Sequence, residues 1–257
     1  MTKPEIEIRE ATTIEEFKIC VELQRKVFAM PDLEISPVRH LIVSKSAGGY
    51  VMAAYDGSDS GGGEKIIGFV LSVPMFYEGK RAFYSHMAAV DNDYQNAGIG
   101  ARLKWAQRAR AMQLGVNYIK WTFQPVQARN AFFNLERLGA TIKTYMPNFY
   151  GTDAESSAEQ REAQPGVDSD RLYADWILDS PKVAALARGE TYAETAPVAS
   201  AVEIPPNWNK LVVEDTARAV AEQERIKREF QDAFAAGLVA KGFERSETNP
   251  RYLLYKE

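Results

Sequence analysis

Apolar and polar positions alternate along the chain in a readable order. Ile6 and Ile8 stand among charged neighbours from Glu5 to Arg9, the period of a half-buried strand. Thr12 or Thr13 then caps a helix whose Ile14, Phe17, Val21 and Val27 share one face, and Pro31 lies beyond its end. Ser36-Pro37 has the order of an N-cap followed by a first-turn proline, which predicts a second helix running to Gly48-Gly49. Strands are predicted over Tyr50 to Tyr55, Ile66 to Phe76 and Ala82 to Val90. The Gly-, Ser- and Asp-rich stretch from Asp56 to Gly63 reads as a long hairpin loop. A helix over Gly98 to Leu114 closes at Gly115, a strand covers Asn117 to Phe123, a helix over Gln127 to Leu138 closes at Gly139, and Thr141 to Tyr150 reads as extended.

The pattern changes between Asp153 and Pro165, where carboxylates replace large apolar side chains. This reads as a solvated loop and a boundary between residues 1–152 and a C-terminal extension, 153–257, that packs on or completes the sheet. The extension shows a strand over Arg171 to Leu178 and a short helix opened by Ser180-Pro181. An irregular stretch, Thr191 to Ala201, leads to a turn at Pro205-Pro206. A long helix then runs from about Glu214 to Lys241, and Tyr252 to Tyr255 forms a closing strand. In that long helix Ile226, Phe230, Phe234 and Leu238 recur every four residues, and Glu224 and Arg228 are spaced to pair on the surface. The fold class is α+β.

Composition removes several function classes. The 257 residues are 46% hydrophobic and 26% charged, the balance of a folded globular chain. A net charge of −4 lacks the basic surplus of a nucleic-acid binder. Cys20 is the single cysteine, so no intrachain disulfide or thiolate cluster forms, and His40, His86 and Cys20 lack metal-ligand spacing. The N-terminus shows no leader pattern. The most apolar run, Ile66 to Phe76, is broken by Gly68, Ser72 and Pro74 and is too short for a bilayer. A soluble, cytoplasmic protein without nucleic-acid, membrane or metal partners is expected.

The segment richest in chemistry is Val90 to Ala101, which joins a buried strand to a helix and contains Gln95-Asn96-Ala97-Gly98-Ile99-Gly100. Glycines there let main chain approach a ligand, and the unpaired N–H groups of a first helical turn, with the positive end of its dipole, suit a pyrophosphate. No P-loop string is present, and Leu103 stands where the dinucleotide fingerprint needs a small residue. A Gln-x-x-Gly-x-Gly string after a strand instead resembles the acyl-CoA loop of the GNAT N-acyltransferase superfamily, and the element order resembles it over roughly residues 5 to 150. The chain is also similar to a narrower GNAT group through Ser85-His86-Met87, Trp121 to Pro125, Arg129 to Asn134, Tyr145 to Gly151, Asp170-Arg171 and Trp176.

That resemblance implies a mixed, mostly antiparallel central sheet flanked by helices. It also implies transfer of an acyl group, acetyl by default, from acetyl-CoA or another acyl-CoA to a primary amine of a small molecule such as an amino acid. A non-catalytic CoA-binding sensor or a structural module of the same fold is the alternative. Main chain at Met87, Ala88, Ala89 and Val90 would hold the pantetheine arm. Gln95, Asn96, Ala97, Gly98, Ile99, Gly100 and Ala101 would hold the pyrophosphate, and Asn130 and Phe133 would touch the cofactor from the second helix. Arg102 and Lys104 would either meet nucleotide phosphates or, for Lys104, line a solvated helix face. The superfamily often carries an acid Tyr where this chain has Leu135, so Tyr145, Tyr150 or water would protonate the leaving thiolate. His86 is the candidate base, with a core histidine as the plain alternative; His40 ranks below it. Arg171 would grip an acceptor carboxylate or else sit at a strand entry, and Glu34 would hold the acceptor ammonium. The long C-terminal helix is packing or a homodimer face.

Overall fold

The computed structural model describes residues 6–28, 32–57, 64–151 and 167–257. Pro31, most of the Asp56–Gly63 loop, the boundary expected at 152/153 and the acidic stretch Asp153–Pro165 lie outside the described residues. The chain divides into two compact units, Met1–Ile119 and Lys120–Glu257.

In the first unit, β1 (Ile6–Ala11), β2 (Tyr50–Asp56), β3 (Lys65–Tyr77) and β4 (Lys80–Val90) pair antiparallel in sequence order. A two-residue turn joins β3 to β4, with Glu78 and Gly79 both at positive φ, which matches the right-handed twist of the strands. Helix α1 (Ile14–Phe28) starts with a reciprocal cap: Glu16 N donates to Thr13 Oγ1 at 3.2 Å and Thr13 N donates to Glu16 Oε2 at 2.9 Å. Thr13 is therefore the cap. Ile14, expected on the apolar face, is exposed.

Phe17, Cys20 and Leu23 of α1 pack with Leu41 of α2 (Val38–Ser46) on one face of the sheet, against Val51, Ala53, Phe69, Leu71 and Ala89. Burial pushes the Cys20 thiol up to about 12, so it behaves as a small core hydrophobe. Helix α3 (Ile99–Gln113) packs against β2, β3 and β4 through a buried face that includes Leu103, Lys104, Gln107 and Ala111. The second helix departs from its expected start. Pro37 is the N-cap residue, with no side-chain cap, so Ser36 does not cap α2.

Strand β5 (Tyr118–Phe123) runs across the boundary. In the second unit, α4 (Ala128–Phe132) continues into a π-turn, Phe133–Arg137, where Leu138 N donates to Phe133 O at 3.0 Å. A single uniform helix was expected there; the wider turn is what admits the five-residue bond. Of the extended stretch 141–150, only β6 (Tyr145–Met146) is strand, paired with β7 (Arg171–Ile177). Ser180 caps α5 (Pro181–Ala187) as its sequence requires.

A separate antiparallel sheet orders β8 (Ser200–Glu203), β10 (Arg251–Lys256) and β9 (Leu238–Glu244). The long helix is present as α7 (Thr216–Ala235), where Asp215 caps its start and Gly237 at φ 74° ends it earlier than expected, and a short α6 (Trp208–Glu214) precedes it. Leu238, expected in the helix, opens β9. Glu224 pairs with Lys227 rather than with Arg228, whose Nε donates to the Glu224 carbonyl. Phe230 of α7 meets Tyr252 of β10 edge-on at 5.0 Å, and Tyr252 donates to Pro125 O at 2.6 Å. Among the described residues no helix is long and apolar enough to cross a membrane, and no cluster of metal-ligating side chains occurs.

Candidate functional site

Strand β4 delivers two features: a re-aimed histidine and the glycine loop beyond its end. The β3–β4 register runs Val70↔Ala88, Leu71↔Met87 and then Ser72↔Ser85, which leaves His86 as an extra residue in a β-bulge. A bulge breaks the alternation of side chains. Ser85 therefore faces α3, where its Oγ accepts from Lys104 Nζ at 3.0 Å and from Gln107 Nε2 at 3.1 Å. Met87, two residues on, packs with the α1–α2 core. His86 joins that second side: its Nε2 lies 3.0 Å from Ser36 Oγ and its ring meets His40 edge-on at 5.4 Å. The His86 residue stays exposed, while the protein crowded around its ring, and then the neighbouring His40, hold the imidazole below its ordinary pKa. The neutral, proton-accepting form is thus favoured at pH 7.

Past Val90 the chain is braced at four points. Asp91 is buried and bonds Lys26 Nζ of α1 at 2.6 Å. Burial raises its carboxyl, but the Lys26 ammonium and the Asp93 amide outweigh that and lower it overall. Asp91 also caps the 3-10 turn Asn92–Tyr94 by accepting from Asp93 N. Tyr94 donates its hydroxyl to Asp56 at 2.7 Å. Gln95 Nε2 donates to Val90 O at 3.2 Å and to Asn92 Oδ1 at 2.9 Å, so this side chain stiffens the loop from within. Arg102 donates to Ile6 O at 2.5 Å, which ties the first turn of α3 to β1.

The braced loop is open on its outer side. Gln95, Asn96, Ala97 and Gly98 are exposed, and buried Ile99 anchors the helix start. Gly98 is the N-cap of α3 at φ 80°, with no side-chain cap, so the first-turn N–H groups meet no capping side chain. A Cβ on Gly98 would touch nothing within 4 Å, and one on Gly100 would reach only Val90 at 4.0 Å. Gly98 is required by its positive φ. Gly100 is required by nothing in the packing, so its missing side chain leaves room at a helix N-terminus. That geometry fits a pyrophosphate.

Two of the expected cations turn elsewhere. Lys104 lines neither the phosphates nor a solvated face. It is 4% exposed and donates to Gln107 Oε1 at 2.7 Å as well as to Ser85, and burial pushes its ammonium well below the usual lysine value. Arg102 is engaged with Ile6. Of the remaining first-unit expectations, Met87 and Val90 are half-buried, Ala88 is exposed, Ala89 is buried in the core, and Glu34 is exposed.

In the second unit, Tyr145 is buried and donates to Asp170 at 2.6 Å; burial first and Asp170 next push its pKa upward. Tyr150 is 46% exposed, with its hydroxyl 3.4 Å from Thr122 Oγ1, and the Arg171 guanidinium stacks 5.0 Å from its ring centroid. Arg171 also donates to the Asp170 carbonyl. Asn130 is exposed on α4, Phe133 opens the π-turn, and Leu135 is fully buried in it.

Sequence reasoning missed Ser36, Gln24 and the Lys26–Asp91 tie. Gln24 had a signal: it sits at helical spacing after Phe17, Cys20 and Val21, a polar residue on an apolar face.

An open, braced loop thus meets a helix N-terminus past the end of a bulged strand. Residues 15–140 match the model of the Acetyltransferase (GNAT) family. Through them the chain belongs to the GNAT acetyltransferases, with an additional C-terminal region. Solved structures agree on the fold. An Acinetobacter baylyi acetyltransferase aligns with TM-score 0.53 at 14% identity, covering 70% of this chain and 96% of its own. A chain of the NatC complex bound to Gag peptide and CoA aligns with TM-score 0.52 at 16% identity, covering 68% and 99%. NAA60 of Arabidopsis thaliana, in complex with a bisubstrate analogue, aligns with TM-score 0.52 at 15% identity, covering 67% and 97%. None of the curated proteins compared with the chain matches it.

Proposed function

We propose that this GNAT acetyltransferase moves an acyl group, acetyl by default, from acyl-CoA to the primary amine of a small molecule such as an amino acid, by direct attack. The observation that carries this reading is the open loop at Gly98 and Gly100, where glycine at position 100 answers to no packing demand. The CoA bound in the NatC structure supports the same choice of donor. Main-chain N–H groups from Asn96 to Ala101 hold the pyrophosphate, the Gln95 N–H being spent on Asn92 O at 3.3 Å, and the last residues of β4, Met87 to Val90, present main chain to the pantetheine arm and to the oxygen that becomes negative during attack.

His86 removes a proton from the acceptor ammonium, which cannot attack while protonated. Its depressed pKa leaves it ready to do so near neutrality. Tyr150, rather than the engaged Tyr145, is the tyrosine proposed to protonate the thiolate; a thiol pKa of about 8.5 makes that help modest. Arg171 is proposed to grip a carboxylate on the acceptor, Glu34 its ammonium, and Asn130 and Phe133 to touch the donor.

The test has two arms. Thermal melts with CoA, acetyl-CoA, NAD and ATP should show stabilisation by the CoA species alone. Thiol release from an array of acyl-CoAs against primary amines should then find a turning-over pair. Indifference to CoA species would overturn the loop assignment.

A further inference from the structure

Ser36 is the residue whose expected task and observed task differ most. It precedes Pro37 as a helix cap would, yet caps nothing. Its main chain is clamped by a single side chain instead. Gln24, fully buried on α1, donates Nε2 to Ser36 O at 3.1 Å and accepts Ser36 N on Oε1 at 2.9 Å. Burying a primary amide on an apolar helix face is costly unless both of its ends are paired, and here both ends meet the same residue. Pro37, at φ −72°, restrains the chain on the other side. The Ser36 side chain is 3.0 Å from His86 Nε2.

We propose that Gln24 and Ser36 are positioning residues for His86: the clamp holds Ser36 Oγ as the acceptor of the Nε2 hydrogen, which leaves Nδ1 to take the proton of the acceptor amine. This rests on the reading of His86 as the base. The step balances without a further reactant. The ammonium gives one proton to Nδ1, and its nitrogen lone pair forms the new C–N bond. The thioester C–S bond breaks, and the departing thiolate receives the second proton that the nitrogen sheds. While His86 is protonated, Nε2–H···Oγ becomes a charge-assisted bond, stronger than its neutral counterpart. Ser36 thus stabilises the form of His86 that exists only after proton transfer. His40 is the titratable group that α2 sets against the ring, and α1 contributes the uncharged Gln24 to the cluster.

A merely structural Ser36 would tie the loop to α1 and nothing more, and Ser36→Ala keeps that tie because Gln24 bonds only main chain. The experiment therefore compares Ser36→Ala, Ser36→Thr and His86→Ala by kcat-against-pH profiles, with the His86 tautomer read by nitrogen NMR and assigned from the signal lost in His86→Ala. Expected are an Nε2–H tautomer in the native protein and a kcat about tenfold lower in Ser36→Ala, with KM for acyl-CoA unchanged. The acidic limb of the Ser36→Ala profile should move to lower pH, and Ser36→Thr should restore both rate and limb. An Nδ1–H tautomer in the native protein overturns the proposal. So does native kcat in Ser36→Ala beside a crippled His86→Ala, which leaves the base assignment standing. Native kcat and profile in His86→Ala overturn the base assignment itself, and the positioning role of Ser36 with it.

Discussion

Ser85 and His86 are neighbours in one strand, yet each belongs to a polar cluster on a different side of it. On the α3 side, Lys104, Gln107, Ser72 and Ser85 form a sealed network in which every member is buried. On the α1–α2 side, buried Gln24 and Ser36 lead outward to an exposed His86. Both clusters hold a base whose pKa burial depresses. A depressed pKa therefore does not identify a working group. Access separates the two: Lys104 is sealed in its packing, whereas His86 stands at the surface, on the strand that leads into the loop proposed to receive the donor. The sealed cluster stiffens the α3–sheet contact, and the open one is the cluster proposed to do chemistry.

The largest expected contrast comes from emptying each cluster in turn. His86→Ala should lower kcat about 100-fold and erase the acidic limb of the pH profile, while Lys104→Met should leave kcat within about twofold. Equal losses in steady-state assays would erase the distinction. Next in size is the loop. Gly98→Val forces a branched residue to φ 80° and fills the open side. Calorimetry should find CoA binding lost while the circular-dichroism spectrum stays native.

Gly100→Ala is a finer probe. It should raise the melting temperature slightly, since alanine suits a helix better by about 0.5–1 kcal/mol, and yet weaken the stabilisation that CoA provides. A variant that gains both stability and affinity would show that the glycine serves no ligand.

The last probe is a pH dependence of stability. Lys104 has a depressed pKa in the folded protein, so the unfolded chain binds more protons between that value and the ordinary lysine value. Stability should rise with pH through that window. Melts from pH 7 to pH 9 should show a gain in the native protein that is smaller in Lys104→Met. Identical gains would mean that the ammonium is accommodated in its charged form.

Much of this was legible from residues alone. Glycine punctuation at 98, 100, 115 and 139 located the loop and two helix ends, and Ser180-Pro181 marked a true helix start. What failed did so for physical reasons. Ser36-Pro37 has the same local chemistry as Ser180-Pro181, but its main chain is held by Gln24 and its hydroxyl meets His86, contacts from distant positions that no local pattern shows. The bulge at His86 depends on the pairing of two strands, which no single strand encodes. Leu238 continues a helical period, but Gly237 stops the helix one residue before it. Lys104 reads as a surface cation by type, and its burial follows from facing the sheet beside Leu103.

Helix α1 carries Gln24 and Lys26 two positions apart, about 3 Å along its axis. The first grips Ser36, the partner of His86; the second grips Asp91, at the entrance to the glycine loop. One rigid rod is thus pinned at both of its working points. Any tilt that loosens the entrance to the glycine loop also shifts the serine against the imidazole.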